Sequence, residues 1–192
     1  MNKQPCIIVS APSGAGKTTL VQFLLTCWPQ KLAFSVSATT RKPRGEERNG
    51  VDYYFMSEEA FKNKIKCNEF IEFEEVYSGV FYGTLLENLK LLWQQDKIPV
   101  FDVDVRGALK LKSIFKNQCV SIFIAPPHPE ILKNRLENRN TDSPESIQKR
   151  LTKATEELKR APEFDVMIVN DNLNQACMQI QEAVAQFLKQ FD

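Results

Sequence analysis

Apolar runs of strand length alternate along this chain with segments of helical period. Residues 6–9 (Cys-Ile-Ile-Val) read as a buried strand, followed by a glycine-rich turn and a helix over residues 18–27 that closes at Trp28-Pro29. Further runs lie at 98–101, 120–124 and 166–169. All are continuous and rich in β-branched residues rather than alternating, the pattern of strands covered on both faces of a parallel sheet. Between them, Leu85, Leu86, Leu89, Leu92 and Trp93 recur at helical spacing over 84–95, with Thr84-x-x-Glu87 as a capping box. Ser143-Pro144 supplies a cap and a first-turn proline for a helix that runs to about Arg160 and stops before Pro162. A last helix over 175–191 carries Ile180, Val184, Phe187, Leu188 and Phe191 on one stripe. The β–α alternation predicts a doubly wound α/β fold, a parallel sheet flanked by helices.

Two stretches depart from that core. Residues 34–83 are rich in Thr, Arg, Glu, Tyr and short β-like runs and read as an inserted lobe. Residues 128–155 carry Arg135, Arg139 and Arg150 on charged helices and read as a helical flap. The expected organisation is one domain over 1–192, with a core at about 1–33, 84–127 and 156–192.

Length and composition narrow the chemistry. A chain of 192 residues suits a single domain, and 43% hydrophobic with 26% charged residues is ordinary for a globular one. With 25 Lys+Arg against 24 Asp+Glu, no global basic field exists to hold nucleic acid or an anionic membrane, although a local basic pocket is allowed. No apolar run reaches membrane-spanning length, and the run at 6–9 breaks at Pro12-Ser13-Gly14, too early for a signal peptide. The single histidine, His128, sits in a stiff Pro-Pro-His-Pro segment that suits a turn better than a catalytic triad. Five cysteines without a C-x-x-C pair are expected as reduced, mostly buried thiols of a cytoplasmic protein.

The decisive motif is Ala11-Pro12-Ser13-Gly14-Ala15-Gly16-Lys17-Thr18, directly after a strand and opening a helix. It fits G-x-x-x-x-G-K-[ST] except that Ala11 stands at the first glycine. In such a loop successive backbone N–H groups turn inward around phosphate oxygens. The helix adds its positive end, Lys17 reaches the β and γ phosphates, and Thr18, followed by Thr19, offers a hydroxyl to Mg²⁺. A carboxylate at a neighbouring strand end completes such a site. Asp102 and Asp104 supply two, expected on one strand face, with either able to stand nearer the metal. An ATP·Mg²⁺ site follows.

The acceptor signal is the loop from Ser35 to Phe55, where Arg41, Lys42, Arg44 and Arg48 make a local anion site in a nearly neutral chain. Arg41 and Arg44 can grip one phosphate with fork geometry. Phe70-Ile71-Glu72 and Phe81-Tyr82-Gly83-Thr84 add a carboxylate, a phenol and a hydroxyl.

Taken together, SAPSGAGKTTL, SVSATTRKPRGEERNGVDYYF, FIEF, FYGT, FDVDVRGA and NRNTDS resemble the bacterial guanylate kinases, in order and spacing, from about residue 5 to 185. The resemblance implies a P-loop NTPase core, an inserted GMP-binding lobe and a helical lid. It also implies transfer of the γ-phosphoryl of ATP to GMP, giving ADP and GDP, with Mg²⁺. Under it Ser37 and Glu72 read guanine, and Arg41, Arg44, Tyr53 and Tyr82 hold the GMP phosphate with Thr84 and Glu47 nearby. Asp104 lies beside the nucleotide, Arg135, Arg139 and Arg150 close over the transferring group, and Asn170-Asp171 lies near adenine. Phe81 replaces a second tyrosine common in the family, and Thr84 replaces serine while keeping the hydroxyl. Guanine's N1–H and 2-amino donors suit a carboxylate at Glu72, whereas adenine would set a lone pair against it. The alternatives are a P-loop kinase for another nucleoside monophosphate or a phosphorylated sugar, and a catalytically inactive guanylate-kinase-like binding domain.

Overall fold

The computed structural model describes residues 4–128, 130–133 and 144–191. Its core is a five-stranded parallel sheet ordered β2-β7-β1-β8-β9, with β1 (Cys6–Ser10) at the centre. The other strands are β2 (Leu32–Ser35), β7 (Ile98–Val103), β8 (Cys119–Ala125) and β9 (Val166–Val169). Every residue of β1 and β8 is buried, as their unbroken apolar sequences require.

Alternate residues of β1 serve two cores. Ile7 and Val9 face a cluster built with α1 (Lys17–Cys27) and α6 (Leu173–Leu188), including Leu20, Leu24, Ile180 and Val184. Cys6 and Ile8 face the opposite cluster, with α3 (Leu86–Gln94) and α4 (Val105–Phe115) supplying Leu89, Ala108, Leu111 and Phe115. Each fully buried Ile or Leu contributes about 1.5–3 kcal/mol of transfer free energy. The helix expected after Ser143 is α5 (Pro144–Lys159), while Ser143 itself lies outside the described residues.

Three expectations change. Residues 166–169 are not covered on both faces: β9 is an edge strand, and Met167 and Val169 are 59% and 44% exposed while Ile168 is buried. Thr84 does not cap α3, because the ladder of β6 (Val80–Leu85) with β5 (Phe70–Tyr77) continues through Leu85, which pairs with Phe70. The cysteines are not mostly buried: Cys6 and Cys119 are, as in-register neighbours, but Cys27 and Cys177 are intermediate and Cys67 is exposed.

A second sheet, ordered β4-β3-β6-β5, adds β3 (Ala38–Thr39) and β4 (Tyr54–Phe55). With α2 (Glu58–Lys66) it encloses its own cluster of Ala38, Phe61, Phe70 and Phe81. The Phe61 and Phe70 rings stack at 4.4 Å between centroids. Ser57 caps α2 by accepting the Ala60 N–H, and Glu58 and Glu59 in its first turn complement the helix dipole. One cavity, about 250 Å³, lies between this sheet and the carboxyl ends of β1 and β7.

Candidate active site

Residues 11–16 turn from β1 into α1, and Gly14 and Gly16 both adopt φ of +92°, a backbone that disfavours any side chain. At Gly16 the space is also taken, since a Cβ would stand 2.4 Å from Asn170 Nδ2. Asn170 donates from that nitrogen to the Ala15 carbonyl at 2.8 Å, bracing the loop from the β9 side. The first turn of α1 has neither a side-chain cap nor an acidic residue, so its N–H groups meet the cavity with their positive character intact. Pro12, Ser13, Thr18 and Thr19 line that cavity with the loop glycines and Ala11.

Lys17 donates to the Val103 carbonyl at 2.9 Å and forms an ion pair with Asp102. Burial works against its charge, but the neighbouring Asp102 outweighs it, and the pKa is raised. Thr18 Oγ1 lies 3.4 Å from Asp102 Oδ2, so a hydroxyl and a carboxylate converge beside the loop. Arg150, on α5, is buried and donates to Ser13 Oγ at 2.9 Å. Arg135 and Arg139 lie outside the described residues.

The opposite wall comes from the four-stranded sheet and the loop before it. Arg44, Tyr53 and Tyr82 line the cavity. Arg41 stands one layer out, forked onto Glu47 at 2.5 and 2.7 Å, donating from Nε to the Tyr82 hydroxyl at 3.0 Å. Its guanidinium lies 4.7 Å from the Tyr53 ring centroid. Burial opposes the Arg41 charge, but the Glu47 bonds prevail and raise its pKa; the same bonds hold the Glu47 carboxyl low. The two arginines expected to grip one phosphate are therefore arranged differently, Arg44 at the wall and Arg41 in a carboxylate fork. Burial, chiefly, raises the Tyr53 phenol and keeps it a neutral donor.

Glu72 on β5 pairs directly with Thr84 on β6, and the fully buried Thr84 hydroxyl donates to Glu72 Oε1 at 2.7 Å. Glu72 is 4% exposed, and burial pushes its carboxyl up to about 7 despite the Thr84 bond that favours the anion. Ser37, also buried, shares the same end of the cavity. Gly107 allows α4 to come this close, since a Cβ there would stand 2.9 Å from Glu72 Oε2.

Asp102 and Asp104 both line the cavity but do not share a strand face. Asp102 belongs to β7, while Asp104 lies beyond it and caps α4 by accepting the Gly107 N–H at 2.9 Å. The model of the family described as "Guanylate kinase" matches residues 3–187.

The chain belongs to the guanylate kinase family. It is 48% identical to a guanylate kinase of Porphyromonas gingivalis, over 95% of this chain and 97% of that protein. A crystal structure of guanylate kinase from Anaplasma phagocytophilum superposes with a TM-score of 0.75 at 28% identity, covering 97% of this chain and 87% of that one. A shikimate kinase of Bacteroides thetaiotaomicron shares the fold, at TM-score 0.50 and 16% identity, over 94% of this chain and 98% of that one.

In this guanylate kinase family member the cavity also includes residues that the sequence did not single out, among them Lys153 and Glu157 of α5 and Tyr77 of β5. Lys153 and Glu157 stand i, i+4 on a charged helix, a spacing that reads as a solvated surface pair. Only the tertiary fold turns them inward, leaving Glu157 9% exposed with its carboxyl raised by burial.

Proposed function

We propose that this chain transfers the γ-phosphoryl group of ATP to the 5′-phosphate of GMP, giving ADP and GDP, in cytoplasmic purine nucleotide metabolism. The observation that carries the reading is one continuous cavity with Lys17 and the phosphate loop at one end and buried Glu72 and Ser37 at the other. The lobe at about residues 34–83, whose four-stranded sheet runs on to Leu85, then binds the acceptor, and residues 128–155 serve as the lid.

ATP lies with its β and γ phosphates on the N–H groups of residues 13–18, beside Lys17, and its adenine toward Asn170. Arg44, Tyr53 and Tyr82 take the GMP phosphate, with Arg41 anchoring Tyr82 and transferring from the Glu47 fork as the anion arrives. Glu72 accepts the N1–H and 2-amino donors of guanine, Ser37 donates to O6, and Thr84 and Asp104 orient the carboxylate. The convergence of Thr18 Oγ1 and Asp102 Oδ2 fits Mg²⁺, which keeps most of its waters and takes few protein ligands beside phosphate oxygens. Thr18 would hold it directly and Asp102 through water, and its charge would offset that gathering on the phosphate oxygens.

The acceptor oxygen belongs to a phosphate with a second pKa of about 6, so it is largely ionised at neutral pH and needs no base. Rate then comes from in-line positioning and from positive charge, supplied by Lys17, Arg150 and, in this reading, Arg135 and Arg139. A panel of GMP, AMP, CMP and UMP with ATP tests the assignment: turnover is expected with GMP, at least about 10⁴-fold above AMP in kcat/KM. Lys17→Ala is expected to keep its circular dichroism spectrum and lose turnover. Equal use of all four acceptors would sink the guanine assignment, and near-normal turnover by Lys17→Ala would sink the kinase chemistry.

A further inference from the structure

Lys153 occupies a junction of three parts of the molecule. It projects from α5 to within 3.3 Å of Asp104 Oδ2, at the cap of α4, and 3.5 Å from Glu157 Oε1 on its own helix. Its ammonium also lies 5.3 Å from the ring centroid of Tyr77 on β5, the strand that carries Glu72. The side chain is only 26% exposed although lysine ordinarily seeks water.

The charges explain why a cation belongs there. Glu72, Glu74, Asp102, Asp104 and Glu157 all line the cavity. Lys17 is bound to Asp102 and the phosphate-loop end, Arg150 meets Ser13, and Arg44 stands at the phosphate-facing wall. Around Glu72, β5 presents Glu74, β6 the Thr84 hydroxyl and α4 Asp104 and Lys110, while Lys153 and Glu157 of α5 line the same cavity. Lys110 sits at the edge of this group, 44% exposed and 3.5 Å from Glu74. Without Lys153, Asp104 and Glu157 would lose the ammonium that bonds both and would keep Lys17 as a cation acting on them.

We propose that Lys153 is a positioning residue for the acceptor base: by binding Asp104 and Glu157 it lets Glu72 stand as the carboxylate that guanine requires and fastens α5 against the acceptor wall. The proposal rests on the GMP reading. It concerns a residue that touches neither phosphate, and its effect runs through Asp104 and Glu157 to Glu72. The direction follows from like-charge repulsion, which disfavours the anion; Asp104 and Glu74 already raise the Glu72 carboxyl, and Lys110 lowers it.

Initial rates of the full chain are measured against GMP at saturating ATP from pH 6 to 8.5, for wild type, Lys153→Ala, Lys153→Met and Lys153→Arg. Methionine keeps the apolar stem and guards against a loss of packing. At pH 6, Lys153→Ala and Lys153→Met are expected to raise the KM for GMP by about three- to tenfold, the equivalent of half to one pH unit in Glu72 ionisation. In both, the pH below which KM climbs moves upward by about that interval, kcat changes much less, the KM for ATP stays put, and Lys153→Arg restores the profile. Unaltered GMP KM and pH profile in the Ala and Met variants would overturn the proposal while leaving the GMP reading intact. An arginine variant as impaired as alanine would also overturn it. Failure of the wild-type chain to phosphorylate GMP would remove the reading and the proposal together.

Discussion

Burial and guanine pull the Glu72 proton in opposite directions. Burial pushes its carboxyl up to about 7, well above the ordinary 4.5. The N1–H and 2-amino donors of guanine bind only the anion, so under the proposed reading GMP binding expels the proton wherever Glu72 still carries it. The KM for GMP is therefore expected to rise as pH falls below about 7, approaching tenfold per unit. The GMP phosphate titrates near pH 6 as well, so Glu72→Gln provides the comparison: its GMP KM is about 10- to 100-fold higher. Its profile keeps only the phosphate component, and an unchanged profile in Glu72→Gln would refute the role. Stability moves the other way. The native state holds this proton more tightly than the unfolded chain, so the stability it contributes is present at low pH and is lost as pH rises from about 4.5 to about 7. Without nucleotide, Glu72→Gln should melt at or above wild type at pH 8, with the difference closing toward pH 5.

At the scale of single elements, α4 meets the acceptor site through Gly107. Alanine there would gain about 1 kcal/mol of helix propensity but lose about 1–3 kcal/mol to crowding, because its Cβ would stand 2.9 Å from Glu72 Oε2. Gly107→Ala is expected to shift the melting temperature only slightly while raising the KM for GMP severalfold and leaving the KM for ATP alone. Equal effects on both substrates would show that the contact does not act through Glu72. The same elements show what a sequence can and cannot announce. The phosphate loop and strands β1, β7 and β8 were legible because their signals are local: unbroken β-branched runs, then glycines, then Lys17 opening a helix. Thr84 misled because the capping pattern is equally local, whereas the pairing of Leu85 with Phe70 that keeps it in β6 forms only across the hairpin of β5 and β6. Asp104 was legible as a site carboxylate but not as the α4 cap, since its neighbour Asp102 still lies in the strand. Lys153 carried no signal, because its meeting with Asp104 joins residues far apart in the chain. The fork between Arg41 and Glu47 lay within one loop, yet a basic cluster reads as an anion site whether or not a carboxylate already occupies it.

Across the whole molecule, near-neutral charge conceals local segregation, and two substantial hydrophobic clusters conceal a small third one. The parallel sheet packs on both faces, while the four-stranded sheet relies on Ala38, Phe61, Phe70 and Phe81 with a few half-buried neighbours. Phe61 is fully buried and touches both Phe70 and Phe81 by ring contact. Phe→Ala in a core costs about 3–5 kcal/mol, a large share of the 5–15 kcal/mol that holds a typical domain. Because this cluster is distinct from the other two, its loss should open the four-stranded sheet before it unfolds the rest. For Phe61→Ala, amide hydrogen exchange is expected to speed up in β3 to β6 and α2 while β1, β7 and β8 keep their protection. ATP affinity should persist and the KM for GMP should climb at least tenfold, since Glu72, Thr84 and Tyr82 all stand on strands of that sheet. Several links oppose such independence, among them the direct run of β6 into α3, the Lys110 bond from α4 to the Phe73 carbonyl on β5 and the close approach of Gly107 to Glu72. If they dominate, exchange will rise uniformly and both substrates will weaken together. That outcome would make the acceptor wall part of one cooperative unit and refute its separate core.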